Sequence, residues 1–283
     1  MRRRGSRVKG SDAGVRPVLF HIGSFPVYSY GVFLFLAFLA GVLVAGRELR
    51  RKRLDGSAIY PVGAVAAVSG VLGARLFYVL GHWREFSPDW LSAFDLNMRG
   101  LVFYGGLALA VPACALTVRR MGLPAGKVAD AVGLTLPLSL AVARVGCFLN
   151  GCCGGKPSRL PWAVTFPGSS TAVHPTQLYE LLLDLALFFF LLRLRKSVAG
   201  DWDLFLLAVG GYGVVRFLNE FFRYHAESSA GIFFQVTSVA AAVIFLSLVW
   251  YRERRARREP EPATLSSGSR DTEGEGHERD DDR

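Results

Sequence analysis

Charged residues are scarce in this chain. They make up 20% of its 283 residues, against roughly 25% in soluble domains, whereas hydrophobic residues make up 51%. This composition excludes a disordered chain and a water-soluble fold around a single core. The net charge of +10 is typical of cytoplasmic loops beside anionic lipid headgroups, and we expect no nucleic acid partner.

Cysteine is also infrequent. The chain has four cysteines, of which Cys147, Cys152 and Cys153 lie close together in the sequence. They are too few and too clustered for the disulfide framework of a small secreted domain. A cleavable signal peptide is not indicated, because the first apolar run has spanning length and no small-residue cleavage pattern follows it.

Long apolar runs dominate the rest of the sequence. Seven stretches of about 18 to 22 residues carry almost no charge, which is the length of a membrane-crossing helix. They lack the period-two alternation of barrel strands. We therefore predict an all-α, polytopic membrane helix bundle with spans near 28–46, 60–81, 101–118, 130–149, 178–195, 202–218 and 232–251.

The loop charges predict the orientation of this bundle. Alternate loops and the end of the last span carry 16 Lys and Arg residues, and the intervening loops carry 5. Because basic loops stay in the cytoplasm, we expect the N-terminus outside and the C-terminus inside. The basic residues within 1–16 oppose this orientation.

Three parts are predicted along the chain. Residues 18–251 form the seven-span transmembrane domain, and residues 1–17 form a basic N-terminal extension that we expect to be disordered. Residues 252–283 form a cytoplasmic tail. Its segment 259–283 is acidic and has no aromatic residue, so it cannot bury a core and should be disordered.

Ionisable residues inside the spans are the first candidates for function, because a charge there is costly unless it is paired or used. Arg75, Arg144 and Arg216 qualify. A spacing of 4, 4 and 3 residues places a further set on one helical face: Tyr212, Arg216, Glu220 and Arg223. The simpler interpretation is an Arg216–Glu220 pair that only locks two helices.

The loop 150–177 begins and ends with distinctive residues. It opens on the glycine-rich stretch from Asn150 to Gly155 and approaches its end with His174 and Pro175. Glycine permits turns and a close approach of a ligand to the backbone. Proline suits the first turn of the next helix, which leaves His174 as a cap or a site residue.

Two motifs in this region resemble those of the bacterial prolipoprotein diacylglyceryl transferases. Residues 143–151 resemble the family's signature around an essential arginine and an Asn-Gly pair, and residues 174–180 resemble its His-Pro-Ser/Thr-Gln-Leu-Tyr-Glu motif. Supporting matches occur in the family's order along residues 18–250: Tyr30-Gly31, Gly73-Ala74-Arg75, Gly105-Gly106-Leu107, Tyr212 to Arg216 and Glu220 to Arg223.

The resemblance implies an enzyme of the bacterial cytoplasmic (inner) membrane with its site on the outer side. It would transfer the diacylglyceryl group of phosphatidylglycerol to the lipobox cysteine of a preprolipoprotein signal peptide, without a metal or an organic cofactor, and we expect a monomer. The resemblance and the residue types give these catalytic candidates: Arg144, Arg216, Tyr104 and His174. The substrate-binding candidates are Arg144, Tyr30, Asn150, Gly151, Gln177, Tyr179, Glu180, Tyr212, Glu220 and Arg223.

These residue types suit that chemistry. Breaking the carbon–oxygen bond of the donor leaves negative charge on a phosphate. The planar guanidinium of arginine can donate hydrogen bonds to two phosphate oxygens at once. The attacking thiol has a free pKa near about 8.5, so it needs a base or a positive field. His174, Tyr104 and the two arginines are the candidates for that role.

The sequence departs from the family pattern at three positions. Tyr104 stands where a histidine is common, and Cys147 and Cys152 replace the usual asparagine and glutamate. Tyrosine, with a pKa near about 10, is a poor base at neutral pH. Together with Cys153, the two cysteines could bind zinc, form a disulfide or simply pack, and packing is the simplest interpretation.

Other functions remain open from the sequence. The departures also fit a divergent paralogue that acts on another lipid or acceptor. A lipid or small-molecule transporter would place polar residues inside a bundle too, but the two halves show no internal repeat. A structural membrane protein would use Arg144 and Arg216 only to join helices.

Deleting residues 259–283 should leave membrane insertion and activity unchanged, because an acidic tail without aromatic residues adds nothing to the bundle. Complementation of a strain that lacks its own transferase measures this, with the truncated and full chains at matched abundance. Loss of function at normal abundance would show that the tail has a role.

Overall fold

The computed structural model describes residues 15–86, 102–198, 200–225 and 228–258. An antiparallel hairpin, which was not predicted from the sequence, comes first and consists of β1 (Val18–Ile22) and β2 (Phe25–Tyr28). The elements that follow are helical: α1 (Ser29–Arg51), a 3-10 turn (Gly56–Ala58), α2 (Ile59–Gly81), the short α3 (Trp83–Phe86), α4 (Phe103–Arg120), α5 (Ala125–Leu149), α6 (Thr176–Leu194), α7 (Asp203–Glu220) and α8 (Ser228–Arg258).

A long helix overlaps each of the seven apolar runs. In the described ranges, four segments are long and apolar enough to cross a membrane: Ser29–Arg51, Gly56–Gly81, Ala125–Leu149 and Gly231–Arg255. The α6 and α7 helices are 19 and 18 residues long and carry three charged residues each, and α4 ends on two arginines. Apart from the hairpin, the fold is an all-helical membrane bundle.

The central helix of the bundle is α5. It packs against α1, α6 and α7, while α2 packs against α4 and α7 against α8. Glycines permit these close approaches, since a Cβ on Gly133 would lie 2.6 Å from the Cα of Phe205 in α7. Large side chains such as Phe35, Leu72 and Val236 are exposed on the outside. Close backbone packing through small residues is typical of helices in lipid, because burying apolar surface does not favour helix association there.

Ion pairs join the helices at the end of the bundle where α1 and α6 end and α5 and α7 begin. The ammonium of Lys52 donates to Asp130 Oδ2 at 2.6 Å, and the other oxygen of Asp130 accepts from the Phe205 backbone N–H at 3.1 Å. We call the paired side chains at this end the basic-end layer: Glu48, Arg51, Lys52, Asp130, Arg195, Asp203 and Arg252.

The last helix extends beyond the run that predicted it. The span was expected to end near residue 251, and α8 continues to Arg258. The rest of the predicted tail, 259–283, lies outside the described residues, as do residues 1–14 of the predicted N-terminal extension.

Gly73→Ala should destabilise the packing of α2 on α4, because the new Cβ would lie 2.4 Å from the carbonyl oxygen of Gly105 and 2.7 Å from Leu109 Cβ. Overpacking of this kind costs about 1–3 kcal/mol. We expect a lower thermal unfolding midpoint in detergent. Gly70→Ala on the same helix, with nothing within 4 Å of its new Cβ, is the matched control and should leave the midpoint unchanged. Equal midpoints for the two variants would contradict the close contact.

Candidate active site

Three helix ends bring polar side chains together at the side of the bundle opposite the basic-end layer. Here α5 ends at Leu149, α6 begins at Thr176 and α7 ends at Glu220. The three helices pack against one another, so side chains from distant parts of the sequence meet. We call the resulting group the arginine layer: Arg144, Glu180, Tyr212, Arg216, Asn219, Glu220, Arg223 and His225.

Glu180 is the centre of this layer and is fully buried. Its Oε1 accepts hydrogen bonds from Arg144 Nη2 and, at 3.1 Å, from the Tyr212 hydroxyl. Its Oε2 accepts from Asn219 Nδ2 at 2.6 Å and lies 3.9 Å from Arg223 Nη1. One carboxylate on α6 therefore connects α5, α7 and the segment that follows α7.

Glu220 is the second buried carboxylate of the layer. Arg216 Nη2 lies 2.9 Å from Glu220 Oε2, so the pair indicated by the spacing is present. His225 Nε2 contacts Glu220 Oε1, and Arg223 Nε lies 4.0 Å from Oε2. Arg223 thus lies between the two carboxylates. The guanidinium of Arg216 also lies over the ring of Phe234 in α8, 5.3 Å from its centroid.

The arginine layer holds more positive than negative charge. Its three arginines face two glutamates, which leaves a single positive charge when His225 is neutral. Within the described ranges, the buried donors Arg216 Nη1 and Arg223 Nε have no hydrogen-bond partner. Buried N–H groups are costly until something accepts from them. The three arginine side chains are 15 to 20% exposed, so an anion that enters from outside the bundle can reach them.

The loop between α5 and α6 is fixed to the first turn of α6. Thr176 Oγ1 donates to the carbonyl of Cys153 at 2.8 Å, and Gln177 Nε2 donates to the carbonyl of Cys152 at 2.5 Å. The φ of Gly151 is 71°, in the left-handed region that glycine adopts readily. Asn150 caps the end of α5, where its backbone N–H donates to the carbonyl of Gly146 at 2.9 Å. These three predicted binding residues, Gln177, Gly151 and Asn150, therefore shape the loop.

His174 and Tyr179 lie on the loop side of the layer. His174 Nδ1 is 3.2 Å from the Tyr179 hydroxyl, which also accepts from Trp162 Nε1 at 2.8 Å. The His174 ring packs against Phe222, with 5.3 Å between centroids. Among the described residues, neither His174 nor Tyr179 shares a hydrogen bond with the arginine layer.

Three thiols meet beside Arg144. The sulfur atoms of Cys147, Cys152 and Cys153 all lie within 4.8 Å of one another, and none of them is in a disulfide. They could hold a soft metal ion. Contact with the Cys147 and Cys152 thiols lowers the pKa of the Cys153 thiol, and the charges of Arg223 and Arg144 act in the same direction.

The two remaining predicted site residues have different surroundings. Tyr30 lies on α1 beside Gly146, close enough to Arg144 for its positive charge to act on the Tyr30 hydroxyl. Tyr104 lies at the start of α4, is 64% exposed and packs its ring on Phe103. Its hydroxyl makes no hydrogen bond within the described part of the chain. The structure thus brings Tyr30 near the site and does not join Tyr104 to the arginine layer.

Asn219, His225 and Asp184 were not predicted as site residues. Asn219 lies seven residues after Tyr212, so the helical period could have indicated it. No spacing signal connects His225, which follows the end of α7, with the carboxylate that it contacts. Asp184 lies one turn beyond Glu180 on α6, and both of its buried carboxylate oxygens lack a hydrogen-bond partner among the described residues.

Residues 17–251 match the family model described as "Prolipoprotein diacylglyceryl transferase". The chain is 29% identical over 252 residues to the phosphatidylglycerol–prolipoprotein diacylglyceryl transferase of Clostridium tetani, which covers 87% of this chain and 100% of that relative. Proteins of the same name are similar in Methylobacillus flagellatus, at 35% identity over 73% of this chain and 83% of the relative, and in Methylocella silvestris, at 31% over 84% and 95%.

Glu180→Gln should destabilise the protein by about 3–5 kcal/mol, because it leaves the buried guanidinium of Arg144 beside a neutral amide. We expect a clearly lower thermal unfolding midpoint in detergent. Asp184→Asn is the matched control one turn along α6, since it removes a carboxylate that has no described hydrogen-bond partner, and it should change the midpoint little. An equal drop for the two variants would contradict the central position of Glu180.

Proposed function

The chain belongs to the prolipoprotein diacylglyceryl transferase family, and from this premise we propose that its arginine layer is where phosphatidylglycerol gives up its diacylglyceryl group. The protein is a transferase that moves this group to the thiol of the lipobox cysteine of a prolipoprotein, in bacterial lipoprotein maturation. In this reaction a sulfur–carbon bond forms at the glycerol carbon. The carbon–oxygen bond to the phosphate breaks, and glycerol phosphate leaves with the bonding electrons.

The unpartnered guanidinium N–H groups carry this proposal. Arg216 Nη1 and Arg223 Nε are buried donors without an acceptor among the described residues, and the layer has a single uncompensated positive charge. The phosphodiester of phosphatidylglycerol carries one negative charge and offers several acceptor oxygens. It therefore matches both the charge and the free donors of the layer.

We propose that Arg144 and Arg216 hold the phosphate oxygens, with Arg223 between the two carboxylates as a third donor. Negative charge grows on the leaving oxygen as its bond to carbon breaks. Donors that are already in place for that charge stabilise the transition state more than the bound donor lipid, which is what raises turnover. A guanidinium has five N–H groups, so each arginine can keep its glutamate and still bind phosphate.

The glutamates act by holding the arginines in position. Glu180 fixes Arg144 and, with Tyr212 and Asn219, connects α6 to α7. Glu220 fixes Arg216 in the same way. Without these carboxylates, the long arginine side chains would have to be ordered at each turnover. The positive charge that is already in position for the phosphate would then be lost.

On the acceptor side we propose that the loop and its anchors bind the lipobox segment, with Tyr30, Asn150, Gly151 and Tyr179 as the contacts and the buried Gln177 holding the loop in place. His174 and Tyr104 remain the two candidates for the thiol proton. His174 lies nearer, because its ring packs on Phe222, two residues after the paired Glu220. Tyr104 lies apart, at the start of α4.

For the topology we propose seven spans with the N-terminus outside, so that the arginine layer faces the outer side of the cytoplasmic membrane and a monomer is sufficient for activity. The pairing of the charges on α6 and α7 supports these two helices as further spans. Glu180, Arg216 and Glu220 are paired inside the bundle, which reduces the cost of placing them in a bilayer. The basic-end layer lies at the opposite side, as expected for the cytoplasmic face.

The direct test of the function uses the purified full chain, phosphatidylglycerol and a synthetic lipobox peptide, with mass spectrometry of the peptide. We expect the mass of one diacylglyceryl group on the cysteine, as a thioether that resists thioester cleavage. The peptide with serine in place of the cysteine is the control and should stay unmodified. No product with any phospholipid donor would favour a transporter or a structural protein instead.

Arg144→Gln and Arg216→Gln should each lower turnover by about 10²- to 10³-fold per folded molecule, the usual loss when one pre-placed donor to a developing charge is removed. The lysine variants should recover only part of the activity, because an ammonium keeps the charge and loses the planar pair of donors.

Arg195→Gln is the matched control, because Arg195 pairs with the buried Glu48 in the basic-end layer. It should lower the unfolding midpoint and leave the turnover of the folded fraction unchanged. If Arg144→Gln and Arg216→Gln behave like this control, the two arginines are structural and the phosphate-binding role is wrong.

A further inference from the structure

Three cysteine sulfurs in this chain have the spacing of metal ligands. The Cys152 and Cys153 sulfurs are 3.8 Å apart, and the Cys147 sulfur lies within 4.8 Å of both. With a zinc–sulfur bond of about 2.3 Å and tetrahedral angles, two sulfur ligands of one ion stand about 3.8 Å apart. The sulfurs therefore need little movement to share one ion.

The backbone holds these thiols in place at some cost. Cys153 has a φ of 65°, a left-handed conformation that is unfavourable for a residue with a Cβ. The carbonyls of Cys152 and Cys153 accept the hydrogen bonds from Gln177 and Thr176, which anchor the segment to α6. Side chains that fix the orientation of ligand residues are typical of metal sites, and strain kept in this way is common where a residue has a function.

The charges around the three sulfurs also favour a cation with thiolate ligands. Three thiolates and one Zn²⁺ carry a net single negative charge. Arg144 and Arg223 lie close enough for their positive charges to act on Cys153. The negatively charged complex would thus lie beside two positively charged arginines, although it is close to the bilayer.

The site has an open side. Cys147 is buried, Cys152 is half-buried and Cys153 is exposed, so an ion held by the three sulfurs could be reached from the loop. In the described part of the chain, no fourth histidine, cysteine or carboxylate completes the group. Three protein ligands with a free fourth position distinguish catalytic zinc from structural zinc, which is closed by four.

We propose that Cys147, Cys152 and Cys153 bind Zn²⁺ and that its fourth coordination position takes the thiol of the lipobox cysteine. The inference rests on the proposed function, for which it supplies the step that neither Tyr104 nor the arginine layer provides. A thiol bound to zinc is deprotonated outright, so the acceptor sulfur becomes a thiolate beside the donor phosphate.

The step balances without an oxidant or a reductant. The acceptor thiol displaces a water from Zn²⁺ and gives its proton to His174. The sulfur lone pair then forms the bond to the glycerol carbon, and the electrons of the carbon–oxygen bond go to the phosphate of glycerol phosphate. The thioether product is a weak neutral ligand that water replaces, and the zinc keeps its charge of two throughout.

The test begins with the metal content of the full chain, purified in detergent without chelators. We expect a single zinc per chain by elemental mass spectrometry, and loss of that zinc in Cys147→Ser, Cys152→Ser and Cys153→Ser. Cys114→Ser is the matched control, because Cys114 is a free thiol on α4 outside the group, and it should keep the metal.

Cobalt replacement then reports on the fourth ligand independently of activity. The Co²⁺ protein should show sulfur-to-cobalt absorption in the near ultraviolet and strong visible bands of a tetrahedral ion. The lipobox peptide should shift the visible bands, and the peptide with serine in place of cysteine should not. Zinc removal should lower turnover about thirtyfold at neutral pH, because a free thiol of pKa about 8.5 is only a few per cent thiolate.

Several results would overturn the inference: no bound zinc, a disulfide between any two of the three cysteines in protein from the membrane, or visible bands that the cysteine peptide leaves unchanged. Turnover by a zinc-free chain equal to that of the zinc-loaded chain would also overturn it, while the proposed function would stand. Bound zinc with the peptide-dependent shift, but no product from phosphatidylglycerol, would support the metal site and contradict the proposed function.

Discussion

The carboxylate of Glu180 is the contact on which the rest of the site depends. It lies fully buried on α6 and binds Arg144 of α5 together with Tyr212 and Asn219 of α7. In a bilayer the apolar faces of these helices have little preference for one another over lipid, so polar contacts and close packing must select the arrangement. The same contacts that join the helices also hold guanidinium groups ready for an anion.

The two ends of the bundle use buried ion pairs for different purposes. In the basic-end layer, Asp130 receives a hydrogen bond at each oxygen, from Lys52 and from the Phe205 backbone, and the pair is complete. In the arginine layer two guanidinium groups, those of Arg216 and Arg223, each keep a buried N–H without an acceptor in the described structure, against one in the basic-end layer, on Arg195. The arginine layer therefore offers the larger set of unmet buried donors, and such donors are stabilised when a ligand accepts from them.

The positions of the helices could be predicted from the sequence because long apolar runs in lipid must satisfy their backbone hydrogen bonds internally, which favours helices. The hairpin Val18–Tyr28 was missed, although Gly23, whose φ is 61°, and Ser24 mark a tight turn between its two strands. The Arg216–Glu220 pair followed from spacing on one helix. Contacts between elements did not: the hydrogen bond from Asn219 to Glu180 joins α7 to α6, and the three cysteine sulfurs converge because α5 ends between the first and the second of them. His225 contacts Glu220 from the segment after α7, where no helical period relates the two residues.

The central claim is that the arginine layer recognises the phosphate of the donor lipid, and lipid selectivity measures this most directly. Native mass spectrometry of the detergent-purified chain can compare retention of phosphatidylglycerol with retention of a diacylglycerol that has the same acyl chains and no phosphate. The wild-type chain should prefer phosphatidylglycerol, Arg195→Gln should keep that preference and Arg216→Gln should lose it. Equal retention of the two lipids by the wild type, or an unchanged preference in Arg216→Gln, would contradict the account.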